Sequence, residues 1–150
     1  MLYPSAKVIV RSLEKPNMIL LIKRIVNNKS YYEPAGGKVE VDFACMKSES
    51  LEECAKREIA EELGVSIDIK GYVGSYYFFW SIDPRKLSTC AVFEGVITQY
   101  DPYFVSNQDS CELPFNLAWI STRDIVEGII EIDPLYVGLD GLIKDYCKKL

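Results

Sequence analysis

The sequence of 150 residues contains no histidine, and this absence excludes several classes of chemistry. Nucleophilic triads of the Ser-His-Asp and Cys-His types need an imidazole base, and many zinc sites need an imidazole ligand. Acid–base steps must therefore use a carboxylate, a lysine, a tyrosine or water. The five cysteines include no Cys-x-x-Cys pair, which argues against a zinc knuckle or a redox dithiol and favours reduced thiols.

The sequence also lacks a long apolar run and an extended basic cluster. The longest aliphatic run, residues 18–22, is too short to span a membrane, and residues 1–15 lack the apolar core of a signal peptide. The net charge of −5 argues against general binding of nucleic acid. We therefore expect a cytoplasmic protein without a membrane or nucleic-acid partner.

The length and the ordinary composition, 49% hydrophobic and 26% charged, favour one domain over residues 1–150. Alternating and β-branched stretches predict strands at 6–13, 18–25, 66–80, 87–99 and 117–120. Amphipathic stretches predict helices at 49–65, 123–128 and 134–149. Strands that alternate with helices and also form hairpins predict an α/β (α+β) fold with a mixed sheet between helical layers.

The most informative stretch is the predicted helix 49–65, ESLEECAKREIAEELGV, because it concentrates acids. Ser48 or Ser50 can cap its start, and Gly64 can adopt the left-handed conformation that ends many helices. An apolar residue recurs at every fourth position, which predicts a stripe packed on the core. The stripe consists of Leu51, Ala55, Ile59 and Leu63.

Three glutamates, Glu58, Glu61 and Glu62, lie at i, i+3 and i+4 and so share one sector of the helix. Like charges at this spacing repel, and the C-terminal turn is also unfavourable for anions. A solvated acidic face would account for an exposed pair such as Glu53 with Arg57, but not for this cluster. Bound Mg²⁺ or Mn²⁺ would relieve the repulsion, because hard cations prefer carboxylate oxygens.

The segment 57–65, REIAEELGV, with Glu49 before it and GGKVE at 36–40, resembles the Nudix box of the Nudix hydrolases. The C-terminal part of the box matches position for position, but its opening departs from the family pattern. The family has a glycine six residues before the first glutamate of the box, whereas Gly37 lies twelve residues before Glu49. Residues 41–48 therefore contain an insertion of about six residues, which either lengthens a loop or displaces the site.

The resemblance implies an α/β/α sandwich and a metal-assisted hydrolase. Glu58, Glu61 and Glu62 match the metal-binding glutamates of the family, with Mg²⁺ or Mn²⁺ as the cofactor. Glu58 or Glu62 could also orient or deprotonate the attacking water. A backbone oxygen of Gly36 or Gly37 could complete the coordination.

Further site residues are less constrained by the resemblance. Carried over from the family, Arg57 would hold the helix by binding carboxylates, including that of Glu49. It would therefore orient the metal ligands without binding the metal itself. In many family members the general base lies on a mobile loop. Glu112, with Asp109 as a second choice, lies in the predicted loop 100–114 and is our candidate. A solvated loop acid is the alternative interpretation of Glu112.

Cations and glycines near the box provide candidate substrate contacts. Arg24, its neighbour Lys23 and Lys38 could bind phosphate, although ordinary strand-surface charges would look the same. The Gly36-Gly37 pair would let the backbone approach a ligand closely, where a side chain would block it.

The expected function is hydrolysis of a nucleoside diphosphate linked to another group, with a nucleoside triphosphate or small nucleotide derivative as the favoured substrate. ADP-ribose, a nucleotide sugar and a dinucleoside polyphosphate are alternative substrates. A catalytically silent nucleotide-sensing domain on the same fold is the alternative function. Isomerase chemistry on isoprenoid diphosphates would need further catalytic residues that the sequence does not reveal. The oligomeric state stays open, with a homodimer as one alternative.

Overall fold

The computed structural model of the protein describes residues 2–79, 85–100, 112–113 and 116–150. The strands are β1 (Leu2–Ser12), β2 (Lys15–Val26), β3 (Lys29–Glu33), β4 (Ala35–Lys38), β5 (Val41–Asp42), β6 (Lys47–Ser48), β7 (Val65–Phe79), β8 (Leu87–Tyr100), β9 (Glu112–Leu113) and β10 (Leu117–Ser121). The helices are α1 (Leu51–Leu63), α2 (Thr122–Val126) and α3 (Leu139–Lys148). No helix in these ranges is long and apolar enough to cross a membrane.

Eight strands form one mixed sheet, in the order β7-β8-β1-β2-β10-β9, with β4 beside β1 and β3 beside β2. β1 pairs with β8 in parallel, whereas its pairs with β2 and β4 are antiparallel. Strand β1 therefore has neighbours on both edges and forms the centre of the sheet. Its side chains alternate between the two faces.

Helices cover both faces of the sheet, each over its own apolar core. Ala6, Val8 and Val10 of β1 face α1 and pack with its buried residues. Ile9, between them in the sequence, faces the other side and packs with Ile143 of α3. The predicted mixed sheet between helical layers is therefore confirmed.

Helix α1 begins and ends where its end signals predict. Ser50 is the N-cap, and it forms a reciprocal capping box with Glu53. Gly64 ends the helix with φ 67°, in the left-handed region that favours glycine. The predicted apolar stripe is wrong at Leu51, which is 39% exposed, while Cys54 is fully buried in the core.

Two short strands that the sequence does not predict, β3 and β4, precede the inserted segment. Asn27 and Asn28 have φ of 52° and 63° in the turn between β2 and β3, so this turn has the two left-handed residues of a tight hairpin. β4 then adds to β1, with Gly36 opposite Lys7. These short strands bring the Gly36-Gly37 pair onto the sheet and beside α1.

The last helix is also shorter than predicted. It begins at Leu139 rather than at Pro134, because Tyr136 N–H donates to Asp133 O and Leu139 N–H to Tyr136 O in successive turns. Gly138 precedes the helix with φ 90°. These turns place Tyr136 against the sheet instead of on a helix.

The inserted residues 41–48 form a small hairpin, β5 with β6, that is largely exposed. Its base is closed, since Glu49 N–H donates to Glu40 O at 3.2 Å and Glu40 N–H to Glu49 Oε1 at 2.9 Å. The extra residues therefore lie outside α1, whose capping box follows directly.

We expect Gly36→Ala to destabilise the protein by about 3 kcal/mol, because a Cβ at this position would overlap the backbone of Ala6 and Lys7. Gly71→Ala is the matched control, since no described atom lies within 4 Å of a Cβ there. Its free energy of unfolding should stay within about 0.5 kcal/mol of wild type. Urea unfolding followed by circular dichroism measures both changes, and equal stability of the two variants would contradict the close packing of β4 on β1.

Candidate active site

The guanidinium group of Arg57 joins α1 to the segment that precedes it. Nε and Nη2 donate to the two carboxylate oxygens of Glu49, at 3.0 and 2.6 Å, and Nη2 also donates to the backbone oxygen of Lys38 at 3.0 Å. The contact between Arg57 and Glu49 that the sequence suggests is therefore present. A bidentate arginine–carboxylate pair of this kind fixes orientation as well as distance.

The same pair sets the charge of Glu49. The Arg57 guanidinium, with help from the backbone N–H of Glu40, lowers the pKa of Glu49 to about 2. The carboxylates in turn raise the pKa of Arg57 above its ordinary value. The pair is consequently ionised throughout the physiological pH range.

The remaining guanidinium nitrogen of Arg57 lies among the glutamates of the predicted cluster. Nη1 donates to Glu58 Oε1 at 2.9 Å and to Glu61 Oε2 at 3.2 Å. The Glu58 side chain is only 16% exposed, whereas that of Glu61 is 58% exposed. Arg57 thus brings Glu58 and Glu61 together around one positive charge.

The carboxyl group of Glu62 interacts electrostatically with the same acidic cluster. Desolvation raises its pKa above the ordinary value, and repulsion by Glu58 adds to the rise. Lys7 and the backbone N–H of Gly36 act in the opposite direction. Glu62 therefore faces both the acidic cluster and the β4 backbone.

Gly37 lies directly against Glu58, and a Cβ at this position would overlap the Glu58 carboxyl group. Its carbonyl oxygen, one of the predicted metal contacts, accepts a hydrogen bond from Cys54 Sγ at 3.5 Å. The absence of a side chain at Gly37 is what allows the β4 backbone and the carboxylate to approach each other.

Within the described ranges, no three acidic or thiol side chains are arranged as a complete metal site. The residue types nevertheless fit a hard divalent cation. Three carboxylates share one helix sector, two of them repel each other, and Gly37 lets the β4 backbone lie directly against Glu58. The guanidinium between Glu58 and Glu61 shows that this position accepts positive charge.

A cleft of about 290 Å³ adjoins this cluster. The candidate substrate residues Arg24, Lys38 and Gly36 all line it, and Gly37 lies between the cleft and Glu58. The glycine pair therefore adjoins both this cleft and the carboxyl group of Glu58, whereas Glu61 and Glu62 line a separate cleft on α1.

Two charged residues of the cleft, Lys7 and Glu33, are absent from the sequence-based candidates. Each is only 8% exposed. Lys7 Nζ donates to Pro34 O at 3.1 Å and lies 5.0 Å from the centre of the Tyr136 ring. The sequence does contain one signal of the burial of Lys7, because this residue shares a strand face with the core residue Ile9.

Comparison with known proteins identifies the family. A sequence model of the NUDIX domain matches residues 1–134. The chain belongs to the Nudix family. Among curated proteins, no sequence matches it significantly.

Solved Nudix structures share the fold across nearly the whole chain. A NUDIX hydrolase from Nitrosomonas europaea is 19% identical, with a TM-score of 0.66 over 99% of this chain and 90% of its own. A MutT protein from Methanosarcina mazei Go1 is 21% identical, with a TM-score of 0.66 over 99% of this chain and 94% of its own. A MutT protein from Bacillus halodurans is 17% identical, with a TM-score of 0.65 over 97% and 82%.

The candidate general base of the Nudix site is only partly described. The backbone of Glu112 lies in β9, opposite Ala118 of β10, but its side chain is outside the described part of the structure. Asp109 lies outside the described residues altogether. The role of Glu112 therefore stays a prediction.

The stability of the protein at acid pH tests the ion pair between Arg57 and Glu49. The pKa of Glu49 is about 2 in the folded protein and near 4.5 in the unfolded chain, so its contribution to stability is present above pH 4.5 and lost as the pH falls towards 2. We expect the free energy of unfolding of wild type to fall more steeply across this window than that of Glu49→Gln. Urea unfolding at several pH values measures both slopes.

Glu52→Gln is the matched control for this acid titration, because Glu52 is an exposed glutamate in the first turn of the same helix. It should retain the slope of wild type. Equal slopes in wild type and Glu49→Gln would show that the pair does not stabilise the fold.

Proposed function

We propose that this Nudix chain hydrolyses the pyrophosphate linkage of a nucleoside diphosphate joined to another group, with Mg²⁺ or Mn²⁺ as cofactor. The observation that carries the proposal is the acidic cluster of α1, in which Arg57 bridges Glu58 and Glu61 beside Gly37. We further propose that residues 1–150 form one Nudix domain. A cytoplasmic site of action fits its cysteine usage.

Glu58, Glu61 and Glu62 would hold the cation, with a backbone oxygen of Gly36 or Gly37 as a further ligand. When bound, the cation would neutralise phosphate charge and lower the pKa of water. Arg57 would lose part of its contact with Glu58 and Glu61 in that state but keep its bidentate contact with Glu49. It would therefore position the helix rather than touch the substrate.

Side chains of the protein would bind the phosphates and accept the proton of the attacking water. Arg24 and Lys38, which both line the cleft, would bind phosphate oxygens. Water attacks one phosphorus atom, the anhydride P–O bond breaks, and the proton of the water passes to a carboxylate. Glu58 or Glu62 would accept this proton, and Glu112 is the alternative base.

The favoured substrate is a nucleoside triphosphate or another small nucleotide derivative. ADP-ribose, nucleotide sugars and dinucleoside polyphosphates are the alternative substrates.

We expect the purified protein with Mg²⁺ or Mn²⁺ to hydrolyse at least one compound in a panel of nucleoside triphosphates, nucleotide sugars and dinucleoside polyphosphates. Glu58→Gln and Glu61→Gln should each lower kcat, Glu58→Gln by about 100-fold or more, because each removes a cation ligand. Glu52→Gln, on the same helix, should leave kcat unchanged.

Unchanged turnover in Glu58→Gln and Glu61→Gln would refute the assignment of the cation ligands. Failure to cleave any compound in the panel would refute the proposed hydrolysis. Nucleotide binding without turnover would instead favour the alternative of a nucleotide-sensing domain.

A further inference from the structure

One edge of the eight-stranded sheet is open in the part of the chain that the structure describes. Strand β7 is the first strand of the sheet, and it pairs only with β8. The outer edge of β7 therefore has no neighbouring strand among the described residues. An open edge of this kind is a template for a further strand, and proteins usually block it with charges, prolines or bulges.

The two halves of β7 differ in this protection. The register with β8 shifts at three places, all within residues 66–74, and this half also contains the charged residues Asp68 and Lys70. Residues 75–79, SYYFF, pair in regular register with residues 87–91 and contain no charge and no proline. The features that block an edge are therefore confined to the first half, and the second half can accept a further strand.

An apolar groove follows the same edge. It is lined by all of residues 75–79 and by Leu135, Val137 and Gly138 from the segment before α3, none of which is charged. Side chains of consecutive strand residues point to opposite faces of a sheet, so a groove that all five line runs along the edge of the strand. The groove therefore adds apolar contacts to the backbone pairing through which an extended segment binds a sheet edge.

The absence of charge favours a second copy of the chain as the occupant of this edge. With a net charge of −5, two copies repel each other over most of their surface, and they approach most easily where acids are absent. An antiparallel pair of identical segments also places the central residue opposite itself, where a charge would be unfavourable. Residues 75–79 meet both conditions.

We propose that residues 75–79 pair antiparallel with the same residues of a second copy, across a two-fold axis at Tyr77. Tyr77 then lies opposite its counterpart, and Ser75 lies opposite Phe79, so that a small side chain faces a large one. Tyr77 and Phe79 share one face of the sheet, and both are exposed in the single chain. Aromatic pairs across antiparallel strands stabilise the pairing.

This interface would also affect the candidate active site. Phe79 and Leu135 line both the groove at the edge and the cleft beside Gly36 and Gly37. The second copy would therefore lie at the rim of that cleft and cover part of its apolar wall. The pairing itself does not depend on hydrolysis.

Sedimentation velocity of the full chain tests the inference. Wild type should form a dimer at concentrations up to about 100 µM. Tyr77→Lys should weaken the association by about 100-fold or more, because it places two like charges opposite each other at the axis. Tyr72→Lys is the matched control, since Tyr72 lies in the bulged half of the same strand and is 63% exposed, against 62% for Tyr77. It should associate as wild type does.

A mixture of Tyr77→Lys and Tyr77→Glu tests the register. Each variant alone should be a monomer where wild type is a dimer, whereas the mixture should form a heterodimer because opposite charges meet at the axis. If these variants do not fold, amide hydrogen exchange of wild type takes their place. Exchange within residues 75–79 should slow as the protein concentration rises, and exchange within residues 66–70 should not.

Four results would overturn the inference: a wild-type monomer at every concentration, a dimer that survives Tyr77→Lys, an equal loss of association in Tyr72→Lys, or folded lysine and glutamate variants that do not associate when mixed. In the exchange experiment, protection of residues 75–79 that does not change with concentration would overturn it. None of these results bears on hydrolysis, so the inference and the proposed function fail separately.

Discussion

The bidentate pair between Arg57 and Glu49 is the interaction on which the site depends. It connects the second half of α1 to the residue before the helix, and the same guanidinium reaches the Lys38 carbonyl on β4. The strand β4, the residue before α1 and the second half of α1 therefore meet at one rigid planar group. The inserted hairpin at 41–48 leaves this arrangement in place because it is closed at its base between Glu40 and Glu49.

The acids in the second half of α1 would destabilise this helix if it were isolated. Glu58 and Glu62 repel each other one turn apart, and the C-terminal turn contains no basic residue. Burial of Cys54, Ala55 and Ile59 against the sheet offsets this cost, so α1 tolerates a local concentration of negative charge. This concentration is the physical basis of the proposed cation site, and Gly37 lets the β4 backbone lie directly against it.

Strong local signals predicted part of this structure, and tertiary contacts determined the rest. The capped helix α1 and the long strands β1, β2, β7 and β8 have clear periodicity and end signals. The short strands β3 and β4 do not, because a Gly-Gly pair looks like a loop until β1 pairs with it. The contacts of Lys7 could not be predicted either, since its neighbours Pro34 and Tyr136 come from segments distant in the sequence.

Locating the cation is the most direct test of the account. A crystal structure of the protein grown with Mn²⁺ would show the ion as a peak in an anomalous difference map. The account predicts a peak within about 2.5 Å of carboxylate oxygens from at least two of Glu58, Glu61 and Glu62, with Arg57 still paired to Glu49. A fully occupied ion elsewhere, with the glutamates of α1 still bound only to Arg57, would contradict it.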